Sequence, residues 1–224
     1  MKSRNNIIKG LLILIYSMTL LFILVNSFSG RTEDHWTFFY TFTQQSNILV
    51  LIWFVALGSY LITGNDKLKF SKNRVLMTAL TVYVSITYFI VALVLNPIYT
   101  GSFNPVSDGN ELWLHHLTPF MAWIVFAIIP GEGELTVKKA LASLIYPILY
   151  VVLNLIVGAT TTYSNGDKAY AYDFINPTAS GMYGGNILIF IIAITFLILV
   201  FSLFTVGLTK FKIFIDGTLE EQNN

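Results

Sequence analysis

Ile187-Leu188-Ile189-Phe190-Ile191-Ile192-Ala193-Ile194-Thr195-Phe196-Leu197-Ile198-Leu199-Val200-Phe201 is the stretch that decides the fold. A helix needs about 20 mostly apolar residues to cross the hydrocarbon core of a bilayer. This run belongs to an apolar stretch over 184–207, and five more stretches of the same kind lie near 7–28, 41–62, 74–96, 111–129 and 140–158. Backbone polar groups in lipid must be bonded internally, which a helix achieves by itself. The sequence therefore predicts an all-α integral membrane protein, with residues 1–224 forming a single domain of six transmembrane helices.

Composition narrows the function. Hydrophobic residues make up 55% of the chain and charged residues 11%, which excludes disorder and argues against an ordinary soluble domain. A net charge of +1 gives no reason to expect nucleic acid as a partner. The chain has no cysteine, so disulfides, thiolate nucleophiles and cysteine-held clusters are excluded. Three histidines and few intramembrane carboxylates supply a metal site poorly. No metal and no cofactor are expected. The basic start (Lys2, Arg4, Lys9) and the apolar run from Leu11 to Val25 resemble a signal peptide at first, but the run is long and reads as a retained first helix.

The loops set orientation. Lys2, Arg4, Lys9, Lys67, Lys69, Lys72, Arg74, Lys138, Lys139, Lys210 and Lys212 fall on one side, against Arg31 and Lys168 on the other. Positive charge favours the cytoplasmic side. Both termini are therefore expected in the cytoplasm, with loops 29–40, 97–110 and 159–183 outside. The 159–183 segment is long and aromatic, with Tyr163, Tyr170, Tyr172, Phe174 and Tyr183. It reads either as an interfacial aromatic belt or as a lid over a cavity. The tail Glu220–Asn224 reads as solvated and frayed.

Polar exceptions inside the apolar runs gather at the outer face. The second helix opens Thr43-Gln44-Gln45-Ser46-Asn47, in which Thr43 and Asn47 share a face. The fourth opens Leu114-His115-His116-Leu117-Thr118-Pro119. Pro119 cannot donate to the carbonyl of His115, so a kink and a free backbone acceptor are expected there. Asn154 and Asn186 lie near the same ends of the fifth and sixth helices. Pro147 should kink the fifth helix, and Ser85 and Thr87 read as bonding back to their own helix. Such polar residues can simply join helices through hydrogen bonds. A convergent set of them is also a site hypothesis. The chemistry on offer is a hydroxyl nucleophile, Thr43 or Ser46, activated by His115 or His116. Asn47, Asn154, Asn186 or the glutamines Gln44 and Gln45 could donate to an oxyanion, and Ser46 and His116 could help to orient substrate.

The Phe42-Thr43-x-Gln45-Ser46-Asn47 and Leu114-His115-His116-Leu117-Thr118-Pro119 segments resemble those of the androgen-induced and androgen-dependent TFPI-regulating membrane proteins and their bacterial six-helix relatives. Tyr170-Ala171-Tyr172-Asp173-Phe174 looks similar too, and the shared layout covers most of the chain. The resemblance implies a threonine hydrolase that cleaves fatty acid esters of hydroxy fatty acids in a multi-pass protein of a bacterial plasma membrane. It maps the catalytic threonine onto Thr43 and the histidine onto His115, with His116 as rival. A lipid ester hydrolase, or an acyl transferase using the same pair, is the leading expectation. A non-catalytic carrier of a small amphiphile, with the same polar residues orienting a head group, and an assembly subunit are the alternatives.

Overall fold

The computed structural model describes residues 4–30, 36–96, 109–163, 166–179 and 184–221. Apolar runs become helices as expected: α1 (Arg4–Ser29), α2 (Trp36–Tyr40), α3 (Phe42–Thr63), α4 (Arg74–Ile90), α5 (Thr118–Ile128), α6 (Val137–Ala142), α7 (Ile145–Thr160) and α8 (Ile187–Glu221). A π-helical turn, Val91–Leu95, extends α4, and another, Leu112–Leu117, leads into α5. Five helices are long and apolar enough to cross a membrane: Arg4–Ser29, Phe42–Thr63, Arg74–Leu95, Val137–Thr160 and Ile187–Leu219; Leu112–Ile128 is a shorter apolar helix. Among the described residues there are only isolated β-bridges and no strand. Arg31, Lys2, Tyr183 and the loop positions 97–108 lie outside the described residues.

The core forms where α3 and α4 meet α5 and α7, around Val50, Trp53, Phe54, Val82, Val84 and Phe126. α1 lies against α3 at a glycine pair. A Cβ on Gly10 would sit 2.8 Å from the Gly58 carbonyl oxygen, and one on Gly58 would sit 2.9 Å from that of Gly10. Small residues let helix backbones approach this closely. The periphery is the reverse of a soluble protein. Ile187, Leu188, Phe196, Leu199 and Leu203 of α8, and Leu149, Leu153 and Ile156 of α7, are all exposed. An apolar surface of this extent requires a hydrocarbon surround.

Both intramembrane prolines interrupt their helices, each through the carbonyl that it leaves without a donor. The fifth span breaks at Ser143–Leu144 rather than at Pro147 itself. Pro147 has no N–H for the carbonyl four residues earlier, which belongs to Ser143, and the Tyr83 hydroxyl donates to that oxygen at 2.9 Å. The second proline acts at the candidate site.

α8 also runs on well past the expected end at 207. Its Lys212 is not a solvated tail charge but is fully buried. The ammonium donates to the carbonyls of Phe126 and Ile129 at 2.6 and 2.7 Å and pairs with Asp216 at 3.0 Å. Arg74 binds the same carboxylate at 2.7 Å. Nearby, burial raises the Glu132 carboxyl, but Lys72 and Lys69 outweigh it and hold the group below its usual range. Lys9, reaching the Ile128 carbonyl at 3.3 Å, adds to this basic end of the bundle.

Candidate active site

The site lies at the opposite end, where α3 begins. The first N–H groups of a helix have no partner within it. Thr41 precedes α3 in extended conformation, but its side chain makes no capping bond. Two phenols do the capping. The Phe42 N–H donates to Tyr150 Oη, and the Thr43 N–H donates to Tyr172 Oη, each at 3.2 Å. Tyr150 Oη also accepts from Asn154 Nδ2 at 3.2 Å and donates to the Tyr40 carbonyl at 3.1 Å. That satisfies the whole capacity of a phenol.

Thr43 is buried, and its Oγ1 lies 3.2 Å from His115 Nε2 and 3.2 Å from Tyr172 Oη. The π-helical turn is what delivers His115. In the five-residue register of Leu112–Leu117, the carbonyl of Leu114 falls opposite the nitrogen of Pro119, which carries no hydrogen. Asn47 supplies the donor instead: its Nδ2 bonds Leu114 O at 3.1 Å and Thr43 O at 2.8 Å. So the carbonyl that Asn47 serves is Leu114's, one residue before the expected His115. One amide side chain thereby ties the Thr43 turn to the His115 turn. His116 turns away from Thr43 and packs edge-on against Tyr88, with ring centroids 5.5 Å apart.

Thr43 and Tyr172 open on a cavity of about 270 Å³ with almost wholly apolar walls. Ile86 and Ile90 of α4, Pro147 and Val151 of α7, and Leu197 and Phe201 of α8 form much of it. Ligand sites of roughly 300–1,000 Å³ lined by apolar side chains with a few polar groups are usual for small molecules. A hydrocarbon chain matches walls of this chemistry.

The remaining expected site residues sort by their hydrogen bonds. Ser46 Oγ donates to the Thr43 carbonyl at 3.1 Å and contacts Thr87 Oγ1 at 3.1 Å. Gln45 turns toward the bundle's edge, donating to Phe39 O at 2.7 Å and accepting from Tyr146 at 2.5 Å. Asn154 is fully buried and braces the 166–179 segment, accepting from the Ala171 N–H at 3.0 Å. Asn186 is exposed and does not reach the site. Its Oδ1 accepts from the Leu188 N–H at 2.9 Å, which makes it the N-cap of α8. Of the expected amide donors, Asn47 directs both amide hydrogens to protein oxygens, Asn154 and Gln45 direct one each, and Asn186 lies elsewhere. Ser85 bonds back to Thr81 O at 2.6 Å as expected, and also accepts from Trp123 Nε1 at 2.7 Å. Among the described residues no group of three or more His, Asp or Glu side chains could hold a metal ion.

Tyr172, Tyr150 and Tyr40 went unrecognised as site residues in the sequence. The signal for Tyr172 was the aromatic 159–183 segment, whose described residues fold over the start of α3; Tyr40 and Tyr150 carried none of their own. Tyr40 donates to the Ala169 carbonyl at 2.9 Å, and Tyr163 to the Tyr170 carbonyl at 3.0 Å. The Tyr170 ring fills the space beside Gly158, where a Cβ would lie 2.2 Å from it. Tyr172 stacks on Phe174 at 5.2 Å. Among its described residues, then, this segment acts as a cover rather than as an outward belt. Burial pushes the Tyr40 phenol up to about 12 and raises the Tyr172 phenol, although bonds from Thr43 pull the latter down. Both phenols hold their protons at neutral pH. No family model, curated protein or solved structure matches the chain.

Proposed function

We propose that this protein is a membrane-embedded lipid ester hydrolase with Thr43 as nucleophile and His115 as general base. One observation carries the reading: a threonine hydroxyl sits 3.2 Å from a buried imidazole and opens on an apolar cavity. A hydroxyl is weakly nucleophilic until a base takes its proton, and histidine suits that task near neutral pH. Thr43 Oγ1 attacks the ester carbonyl carbon while its proton passes to His115 Nε2. The tetrahedral intermediate collapses, breaking the carbon–alkoxide bond, and His115 returns the proton to the departing alcohol. Water then attacks the acyl-threonine, again losing a proton to His115. That proton returns to Thr43 Oγ1 as the fatty acid leaves. Ester and water give acid and alcohol, and both residues are regenerated.

The same reading includes a six-span topology with both termini in the cytoplasm of a bacterial cell, kinship with the androgen-induced and androgen-dependent membrane hydrolases, and fatty acyl esters of hydroxy fatty acids as substrates. The basic cluster at the end remote from the site supports the orientation. Reporter fusions after Lys212 and within 97–110 should read opposite sides of the membrane; an external C-terminus refutes it.

A fluorophosphonate hydroxyl probe tests the chemistry. Labelling of the membrane-reconstituted protein should disappear in Thr43→Ala, along with turnover of a long-chain ester. Full turnover in a folded Thr43→Ala protein refutes the nucleophile. Lipid binding with neither labelling nor turnover would make the protein a carrier.

A further inference from the structure

An acyl-transfer site needs a donor for the charge that develops on the carbonyl oxygen, and Asn47, the amide bonded to the Thr43 carbonyl, has both hydrogens committed. Tyr172 stands against Thr43 Oγ1 itself. Its Oη has one hydrogen and two acceptor positions. The Thr43 N–H, which can only donate, occupies one of those positions. The Thr41 side chain and the Phe42 N–H also lie near the phenol, and the contact from Tyr172 Oη to Thr43 Oγ1 can run in either direction.

The two directions have different consequences. If Thr43 donates to Tyr172, its hydrogen points away from His115 and attack is unprimed. If Tyr172 donates to Thr43, the single hydrogen of Thr43 is left for His115 Nε2, the direction in which the proton must move. The second arrangement uses each hydroxyl hydrogen once, in a continuous chain from the Thr43 N–H through Tyr172 and Thr43 Oγ1 to His115.

We propose that Tyr172 is a third catalytic residue, which directs the Thr43 hydrogen toward His115 and then donates to the oxyanion. This rests on the threonine-hydrolase reading above. As the Oγ1–carbon bond forms, Oγ1 gives its proton to His115 and becomes a poor acceptor. The electron pair of the carbonyl π bond moves onto the carbonyl oxygen, attached to the same carbon. The Tyr172 O–H turns to that oxygen without breaking its bond to the Thr43 N–H. No proton leaves Tyr172, so the balance of the reaction is unchanged. The Thr43 N–H belongs to the first turn of α3, where the helix dipole is positive. It polarises the phenol and strengthens the hydrogen bond that the phenol donates, since such bonds reinforce one another along a chain.

The surroundings fit a group held for this purpose. Tyr172 is delivered by the cover segment, which is tethered on both sides of it: at Ala169 by Tyr40 and at Ala171 by Asn154. Neither tether uses the Tyr172 phenol. Its ring is fixed by stacking on Phe174 and lines the apolar cavity. The oxygen is therefore presented at the boundary between the nucleophile and the space where an acyl chain lies.

Tyr172→Phe tests this by removing one oxygen atom while leaving the ring, its stack and both tethers. With a long-chain ester in reconstituted membranes, kcat should fall by about 10²–10³, the usual loss for one oxyanion donor, with KM little changed. A second measurement uses a long-chain trifluoromethyl ketone, which forms a tetrahedral adduct with a threonine nucleophile, beside an inert ether of equal chain length. Tyr172→Phe should weaken the ketone by a factor comparable to the fall in kcat and leave the ether alone. Unchanged kcat overturns the proposal, as does parallel weakening of both ligands, which marks a structural role. If the unmodified protein neither turns over esters nor forms the adduct, the hydrolase reading fails and takes this one with it. Activity in the unmodified protein that survives Tyr172→Phe overturns the role of Tyr172 alone.

Discussion

Replacing Asn47 by leucine separates the stability of this bundle from its proposed chemistry. The side chains are close in size, and Asn47 is fully buried. The change removes two hydrogen bonds, to Leu114 O and Thr43 O, worth about 1 kcal/mol each. Thr43 O keeps the Ser46 hydroxyl as a partner. Leu114 O faces Pro119 and loses its substitute donor, adding about 1–3 kcal/mol for an unsatisfied buried carbonyl. Against this, Asn47 Oδ1 has no hydrogen-bond partner among the described residues. Removing that oxygen recovers a desolvation penalty of similar size, about 1–3 kcal/mol, and leucine buries more apolar surface. The terms largely offset, leaving a net destabilisation of about 1–2 kcal/mol. The catalytic consequence does not offset. Asn47 joins the turn carrying Thr43 to the turn carrying His115, and a misplacement of about 1 Å can cost about 10²-fold in rate. Thermal denaturation in detergent should therefore show a modest loss, while kcat for a long-chain ester falls by about 10–10². Unchanged kcat in Asn47→Leu would refute the tether. So would an Asn47→Asp variant of normal activity, because a carboxylate has no N–H for either carbonyl.

Thr43→Ala, His115→Ala and the double variant should have similarly low turnover, since members of a nucleophile–base pair act as a unit; His116→Ala should retain more, and a silent His116→Ala enzyme beside an active His115→Ala one would move the base one residue along. Lys212→Met should cost about 3–5 kcal/mol, because it leaves Asp216 buried with less compensation, and adding Asp216→Leu should restore part of that loss; denaturation curves check both, and a loss below roughly 1 kcal/mol contradicts the buried network. Gly158→Ala places a Cβ 2.2 Å from the Tyr170 ring, so the cover segment must shift and ester turnover should drop while the helical content by circular dichroism holds; normal turnover would show that the segment is not part of the site.

Much of this architecture could be read from hydropathy because lipid leaves a spanning chain few options. The apolar runs and the common depth of Thr43 and His115 followed from helix length alone. What depth does not contain is rotation about each helix axis. His115 and His116 share a level, yet one meets Thr43 and the other Tyr88, and the π-helical turn that decides between them depends on Pro119 and a donor on another helix. Asn186 shared the level too, but a residue just before an apolar helix is as good an N-cap as a site residue, and capping won. Tyr172 was hidden for a different reason. Tyrosines near a membrane surface are common as interfacial anchors, so only a cover folded back over α3 distinguishes the two roles.

The capping of α3 by distant phenols has a consequence for the order in which the protein is made. Thr43 meets His115 72 residues later in the chain and Tyr172 129 residues later. During synthesis the second helix enters the membrane long before either partner exists, and even after His115 has been inserted the N–H of Thr43 still lacks its phenol. A nascent chain therefore carries Thr43 without its full set of partners through most of its insertion. The cap of α3 and the contact between Thr43 and Tyr172 are completed only when the segment following α7 closes over the finished bundle.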